Sequence, residues 1–163
     1  MTPLFNFSAG PAMIPSAVLR KAQSELSDWQ GTGTSVMEVS HRGKDFVALA
    51  EGMQSKLRNL MGIPDNYHIL FLPGGAQLQF AGIPMNILGD ATSAAYVKTG
   101  IWSQLAVDEA KKYADVALVC DTSESGYTTI TAPDQWAVDS HAAYLYYCDN
   151  ETVHGLEFQT APD

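Results

Sequence analysis

Apolar residues recur at helical spacing through the first third of the chain. Val18, Leu19, Ala22, Leu26 and Trp29 make one stripe, which predicts a helix from about Ser16 to Gln30, stopped by Gly31 and Gly33. Phe46, Leu49, Met53, Leu57 and Leu60 predict a second helix over Lys44–Met61, ended by Gly62 and Pro64. Residues 31–43 join them with little periodicity. Residues 1–14, rich in Pro, Gly and small side chains, read as an extended arm.

The pattern then changes. Tyr67–Leu72 (YHILFL) reads as a short apolar strand, broken sharply at Pro73-Gly74-Gly75. Ala76–Leu88 reads as a helix with Pro84 as a kink or boundary. A strand at Ser93–Val97, a helix at Ile101–Tyr113 and a strand at Val116–Cys120 follow. Residues 121–141 are polar and turn-rich, with a short helix around Asp134–Val138. Ala142–Cys148 (AAYLYYC) closes the series as a strand. Strands alternating with helices predict an α/β fold with a largely parallel sheet. A sheet that stops just after a strand reads as unfinished at its C-terminus.

At 163 residues, composition narrows the function more than the fold. Nine basic residues against eighteen acidic ones give a net charge of -9. That balance argues against a nucleic-acid footprint and against acidic membrane surfaces. An anionic ligand would need a local positive site. Cys120 and Cys148 are isolated, and no Cys/His spacing suits zinc, so no metal site is expected. Reduced thiols fit a cytoplasmic protein. The N-terminus lacks the features of a secretory signal, and no apolar run is long enough to span a bilayer.

Four places carry candidate chemistry. Gly74-Gly75-Ala76 lies between a predicted strand and helix, where open backbone N–H groups and a helix N-terminus can hold a phosphate. A plain strand–helix turn would look the same. In Ser40-His41-Arg42-Gly43, the guanidinium of Arg42 offers a fork for a carboxylate or phosphate, with His41 beside it. A solvated or capping arginine is the alternative. Trp102 follows a predicted strand and can stack on a planar ligand, or else pack in the core. Asn150-Glu151-Thr152 follows the Tyr-rich strand. Thr152 there can hydrogen-bond a ligand or serve a turn. A phosphate cradle, a ring and a hydroxyl at three strand ends make a better case together than singly.

These residues also carry a family resemblance. Asn6–Ala12 (NFSAGPA), Gly33–Lys44 (GTSVMEVSHRGK), Pro73–Ala76 (PGGA) with Gln79-Phe80, Asn86–Asp90 (NILGD), Gly100-Ile101-Trp102 and Tyr146–Gly155 (YYCDNETVHG) resemble, in order, the N-terminal part of the phosphoserine aminotransferase family, within the class V aminotransferases. The resemblance implies the aspartate-aminotransferase-like fold (fold type I), with 15–163 as the first part of a large pyridoxal-phosphate-binding domain. It implies that the arm 1–14 belongs with a small domain.

The activity implied is amino transfer between L-glutamate and 3-phosphohydroxypyruvate, giving O-phospho-L-serine and 2-oxoglutarate. This serves serine biosynthesis and, in many bacteria, pyridoxine synthesis. The implied assembly is a cytoplasmic homodimer with shared active sites. Gly75, Ala76, Gln77, Trp102 and Thr152 would bind pyridoxal 5'-phosphate. Ser8, His41 and Arg42 would bind substrate. Gln77 departs from the Ser or Arg common in relatives, which matters little if the main chain makes the contact.

The resemblance places the Schiff-base lysine beyond Asp163. None of the six lysines here, at 21, 44, 56, 98, 111 and 112, lies in the family's lysine motif, and all fall on predicted helices or loops. The 163-residue chain alone is therefore expected to be inactive, and to associate through uncovered apolar surface. The alternatives are another class V aminotransferase, or a non-catalytic fragment that binds phosphate or pyridoxal phosphate.

Overall fold

A computed structural model describes residues 4–162. The chain divides into two compact units, Met1–Phe71 and Leu72–Asp163.

In the first unit, α1 covers Ser16–Glu25, shorter than the periodicity predicts. The backbone at Gln30 is left-handed (φ 54°), and Trp29–Gly31 forms a separate single turn. Trp29 is still buried, at 6% exposure. Its main-chain N–H donates to Thr34 O at 2.9 Å, so the residue is held in a tight loop and not on a helix stripe. Ser35 and Glu38 cap the next short turn reciprocally: Glu38 Oε2 accepts from Ser35 N (2.9 Å) and Ser35 Oγ from Met37 N (3.3 Å).

Helix α2 spans Lys44–Met61, as its pattern predicts, and ends on Gly62 in the left-handed region (φ 62°). The chain then folds back over α2. Arg58 donates to the carbonyls of Ile63, Pro64 and Tyr67 at 3.2, 2.6 and 2.9 Å, and Gln54 Nε2 donates to Ile69 O at 2.9 Å. Those contacts explain a correction. Tyr67–Leu72 is not a strand, because the carbonyls of Tyr67 and Ile69 are taken by α2 side chains and not by a neighbouring strand.

In the second unit, α3 covers Gly75–Ile87 and runs through Pro84, which is buried inside it. Strand β1 (Ser93–Lys98) leads to α4 (Ile101–Ala110) and then to β2 (Asp115–Asp121). A single turn at Pro133–Gln135 replaces the expected helix around Asp134–Val138. The last parallel strand, β3, is only Leu145–Tyr146, although Ala143 N and Tyr144 O still bond to Ser93 O and Ala95 N at 2.9 Å. The sheet order is β2-β1-β3, all parallel. A hairpin of β4 (Asn150–Glu151) and β5 (Leu156–Glu157), turning at Gly155, stands apart from it.

Strand β1 is covered on both faces, as a central parallel strand should be. Ala94 and Tyr96 point into one cluster with Phe80, Ala106, Val107 and Ala110. Val97 points into the other, with Cys120 and Trp136. The Tyr96 ring stacks on Tyr146 (centroids 4.9 Å), and its hydroxyl lies 2.8 Å from that of Tyr144. Burial and that hydrogen bond push the Tyr96 phenol far above its ordinary range, so it stays neutral.

Candidate functional site

The order β2-β1-β3 makes β1 a switch point. The chain leaves β1 towards β2 on one side and returns as β3 on the other. Ligands of open α/β sheets bind at the carboxyl ends of strands beside such a point. A cavity of about 330 Å³ in this unit is lined by Ala76, Gln77, Phe80, Trp102, Tyr146, Cys148, Asn150 and Thr152. Four residues predicted from the sequence as cofactor ligands, Ala76, Gln77, Trp102 and Thr152, therefore share one wall-to-wall site, and Gly75 opens the helix that carries the first two.

The start of α3 carries open main-chain donors. Gly74 is left-handed (φ 89°), and a Cβ there would meet Leu78 Cβ at 2.7 Å. The first N–H of α3 with a protein acceptor is that of Leu78, donating to Gly74 O at 3.2 Å. Among the described residues, those of Gly75, Ala76 and Gln77 have none, and they sit at the positive end of the helix. Phe80 is one turn further along the face that carries Ala76 and meets Tyr146 edge-on (6.4 Å).

The opposite wall is built at the β1–α4 junction. Glu151 is completely buried, and its carboxylate accepts from Trp102 N (2.9 Å) and Ser103 N (2.8 Å). Ser103 Oγ accepts in turn from Thr99 N (2.9 Å) and Gly100 N (3.0 Å). Four backbone donors at the start of α4 are thereby satisfied. Trp102 Nε1 donates to Thr152 Oγ1 at 2.9 Å. That bond fills one lone pair of the hydroxyl and leaves its own proton for a ligand.

Burial pushes the Cys148 thiol up to about 11, with the Glu151 charge adding to the effect. Burial raises the Tyr146 phenol further. Both remain protonated near neutral pH, so the cavity holds a thiol and a phenol and no nucleophile or base of its own.

The predicted substrate ligands lie in the other unit. Ser8 is exposed on the arm, its N–H donating to Asn6 Oδ1 at 2.9 Å. His41 and Arg42 are exposed in the turn before α2, and among the described residues no carboxylate pairs with Arg42. Lys98 departs from expectation by ending β1, where its ammonium pairs with Asp121 Oδ2 at 2.7 Å.

Two other cavities are chemically poorer. One of about 510 Å³ has Asp134 and Glu157 and no cation in its lining. One of about 280 Å³ in the first unit lies among Trp29, Asp45, Leu49, Met53 and Lys56. Among the described residues no group of three His, Cys, Asp or Glu could hold a metal, and no helix is long and apolar enough to cross a membrane.

Sequence reasoning quoted Phe80, Tyr146, Cys148 and Glu151 only within longer motifs and gave none of them an individual role. Phe80 was findable from its spacing to Ala76. Nothing in the sequence distinguishes a buried Glu151 from a solvated turn residue.

Comparison with known proteins adds the family. A profile described as Aminotransferase class-V matches residues 4–163. The chain is 52% identical over 160 residues to a phosphoserine aminotransferase of Acinetobacter baylyi, and 49% identical over 163 residues to one of Nitrosomonas europaea. Those alignments cover 98% and 100% of this chain but 45% and 44% of those proteins, so it spans under half the length of these curated relatives. Two solved structures match with a TM-score of 0.90 and 42% identity over 99% of the chain. They are the phosphoserine aminotransferase of Bacillus circulans subsp. alkalophilus and the PLP-bound enzyme of Trichomonas vaginalis, of which 45% and 46% are covered. The fold is therefore that of these fold-type-I enzymes, incomplete relative to them. With the profile reaching from the arm to the last residue, the chain belongs to the aminotransferase class-V family.

Proposed function

We propose that this chain is the cofactor-binding part of a pyridoxal-phosphate-dependent enzyme. It would transfer the amino group of L-glutamate to 3-phosphohydroxypyruvate, giving O-phospho-L-serine and 2-oxoglutarate. The names of the relatives support amino transfer in serine biosynthesis, and pyridoxine synthesis is proposed as a second use. The observation that carries the cofactor is the single cavity shared by Ala76, Gln77, Trp102 and Thr152.

The residues fit the group. Open N–H groups of Gly75, Ala76 and Gln77 would take the phosphate. Trp102, Phe80 and Tyr146 give aromatic walls for a planar ring, and the free proton of Thr152 would go to its phenolic oxygen. When bound, the cofactor supplies an electron sink that neither the thiol nor the phenol here can replace. Arg42, His41 and Ser8 would bind the anionic substrates, with the arm 1–14 belonging to a small domain and 15–163 to the large one. The proposed setting is a cytoplasmic homodimer completed by the remaining part of the enzyme, including its Schiff-base lysine.

Titrating the chain with pyridoxamine 5'-phosphate tests the site, because its amine cannot condense with surface lysines. Saturable one-to-one binding, weakened at least about tenfold for pyridoxamine without its phosphate, is the expected result. Equal affinity for the two, or none for either, overturns the cofactor reading. In the complete enzyme, glutamate with 3-phosphohydroxypyruvate should yield 2-oxoglutarate faster than glutamate with pyruvate or glyoxylate. The reverse preference would select another class V aminotransferase.

A further inference from the structure

Gly100 has an extended backbone (φ 174°, ψ -164°) that any residue can adopt. Its conformation therefore does not explain the glycine. Space does. A Cβ built on Gly100 would overlap the Glu151 carboxylate, lying 2.7 Å from Cγ and nearer still to Cδ and Oε2. The carboxylate occupies the volume that a side chain at 100 would need.

Glu151 spends both oxygens on the first turn of α4, one on Trp102 N and one on Ser103 N. Its neighbour Thr152 receives the indole N–H of the same tryptophan. The Glu151-Thr152 pair thus grips Trp102 at the main chain and at the far end of its ring, across 49 and 50 residues of sequence.

We propose that Glu151 is a positioning residue for the ring-binding wall: its carboxylate fixes the start of α4 so that the Trp102 indole and the Thr152 hydroxyl meet in one orientation. Glu151 does not line the cavity and touches no ligand there. It acts through Trp102. The value of that grip to binding rests on the cofactor reading above; the grip itself rests only on the hydrogen bonds.

Glu151→Gln is the direct test, because an amide keeps the shape but presents NH2 to one of two backbone donors. In the full chain, amide hydrogen exchange at Trp102 and Ser103 should speed up by at least about tenfold, the size of one lost charge-assisted hydrogen bond. Affinity for pyridoxamine 5'-phosphate should fall by a similar factor, and the near-ultraviolet dichroism of the bound ring should be lost. Affinity for inorganic phosphate, held by α3, should stay within about twofold. A general loss of structure would lower both affinities together.

Gly100→Ala is the second variant, and covers the case in which Glu151→Gln does not fold. It pushes the carboxylate away from outside and should reproduce the same selective loss. Adding it to Glu151→Gln should cost less than the sum of the two single changes.

Unchanged exchange at both amides overturns the positioning role. So does wild-type affinity in a variant whose amides have opened. If the wild-type chain binds no pyridoxamine 5'-phosphate, the cofactor reading falls, while the exchange rates still decide whether Glu151 holds α4.

Discussion

Two apolar hexapeptides, YHILFL at Tyr67–Leu72 and SAAYVK at Ser93–Lys98, end in opposite states. The second is β1, paired on both edges and covered on both faces. The first is the more hydrophobic, yet it forms no strand, and Leu70 is 69% exposed. Composition ranks them the wrong way round. A strand exists where two neighbours take its N–H and C=O groups, and β1 has β2 and β3. Tyr67–Leu72 instead gives two carbonyls to Arg58 and Gln54.

The largest test of that contrast is Tyr96→Ala against Leu70→Ala. Tyr96 is 1% exposed, stacked on Tyr146 and bonded to Tyr144, so its truncation should cost about 3–5 kcal/mol in denaturant unfolding of the second unit. Leu70→Ala should cost under about 0.5 kcal/mol. Equal losses would mean that Tyr67–Leu72 is buried in solution in a way its exposure here does not show.

A smaller effect comes from the edge of the same sheet. Lys98 and Asp121 are register partners on β1 and β2, and their charges meet at 2.7 Å. Burial works against the Asp121 carboxyl, but Lys98 and Ser123 outweigh it and leave the group below its ordinary 3.8. The hydrogen bond to Asp121 holds the Lys98 ammonium above 10.5. Asp121 therefore contributes stability that is present above about pH 4 and lost as pH falls through its lowered value. Lys98 contributes stability that is present below about pH 10 and lost as pH rises through its raised one. Lys98→Met should cost about 1–2 kcal/mol between those limits, with the gap to wild type closing at both extremes of a pH series. A gap independent of pH would show that packing, not charge, joins β1 to β2 there.

The smallest perturbation leaves the fold alone. Cys148 borders the cavity with its thiol raised to about 11. Iodoacetamide labelling at Cys148, followed by mass spectrometry, should be slow at pH 8 and climb towards pH 11. A plateau reached by pH 9 would mean that the cavity is wetter than its aromatic lining implies.

Much of this was legible in the sequence, for reasons that differ by element. Helix α2 was readable because its stripe and its terminator Gly62 lie in one local stretch. The end of α1 was not, because Gln30 takes a left-handed conformation that the apolar pattern does not encode. Strand β3 was overdrawn from its Tyr-rich run, since only the reach of β1 decides where pairing stops. Ala76, Trp102 and Thr152 were identified one predicted strand end at a time and Gln77 through the family resemblance, and the fold gathers all four around one cavity. Glu151 was legible only as part of a polar turn, because its bonds are made to a helix 48 residues away.

The fit between Gly100 and Glu151 also constrains how this sequence can change. Replacing Gly100 first drives a side chain into a carboxylate. Losing Glu151 first strands two main-chain donors in the interior. Neither single step is structurally neutral, so the two positions constrain each other. A replacement at 100 can become established only after the residue at 151 has already given way.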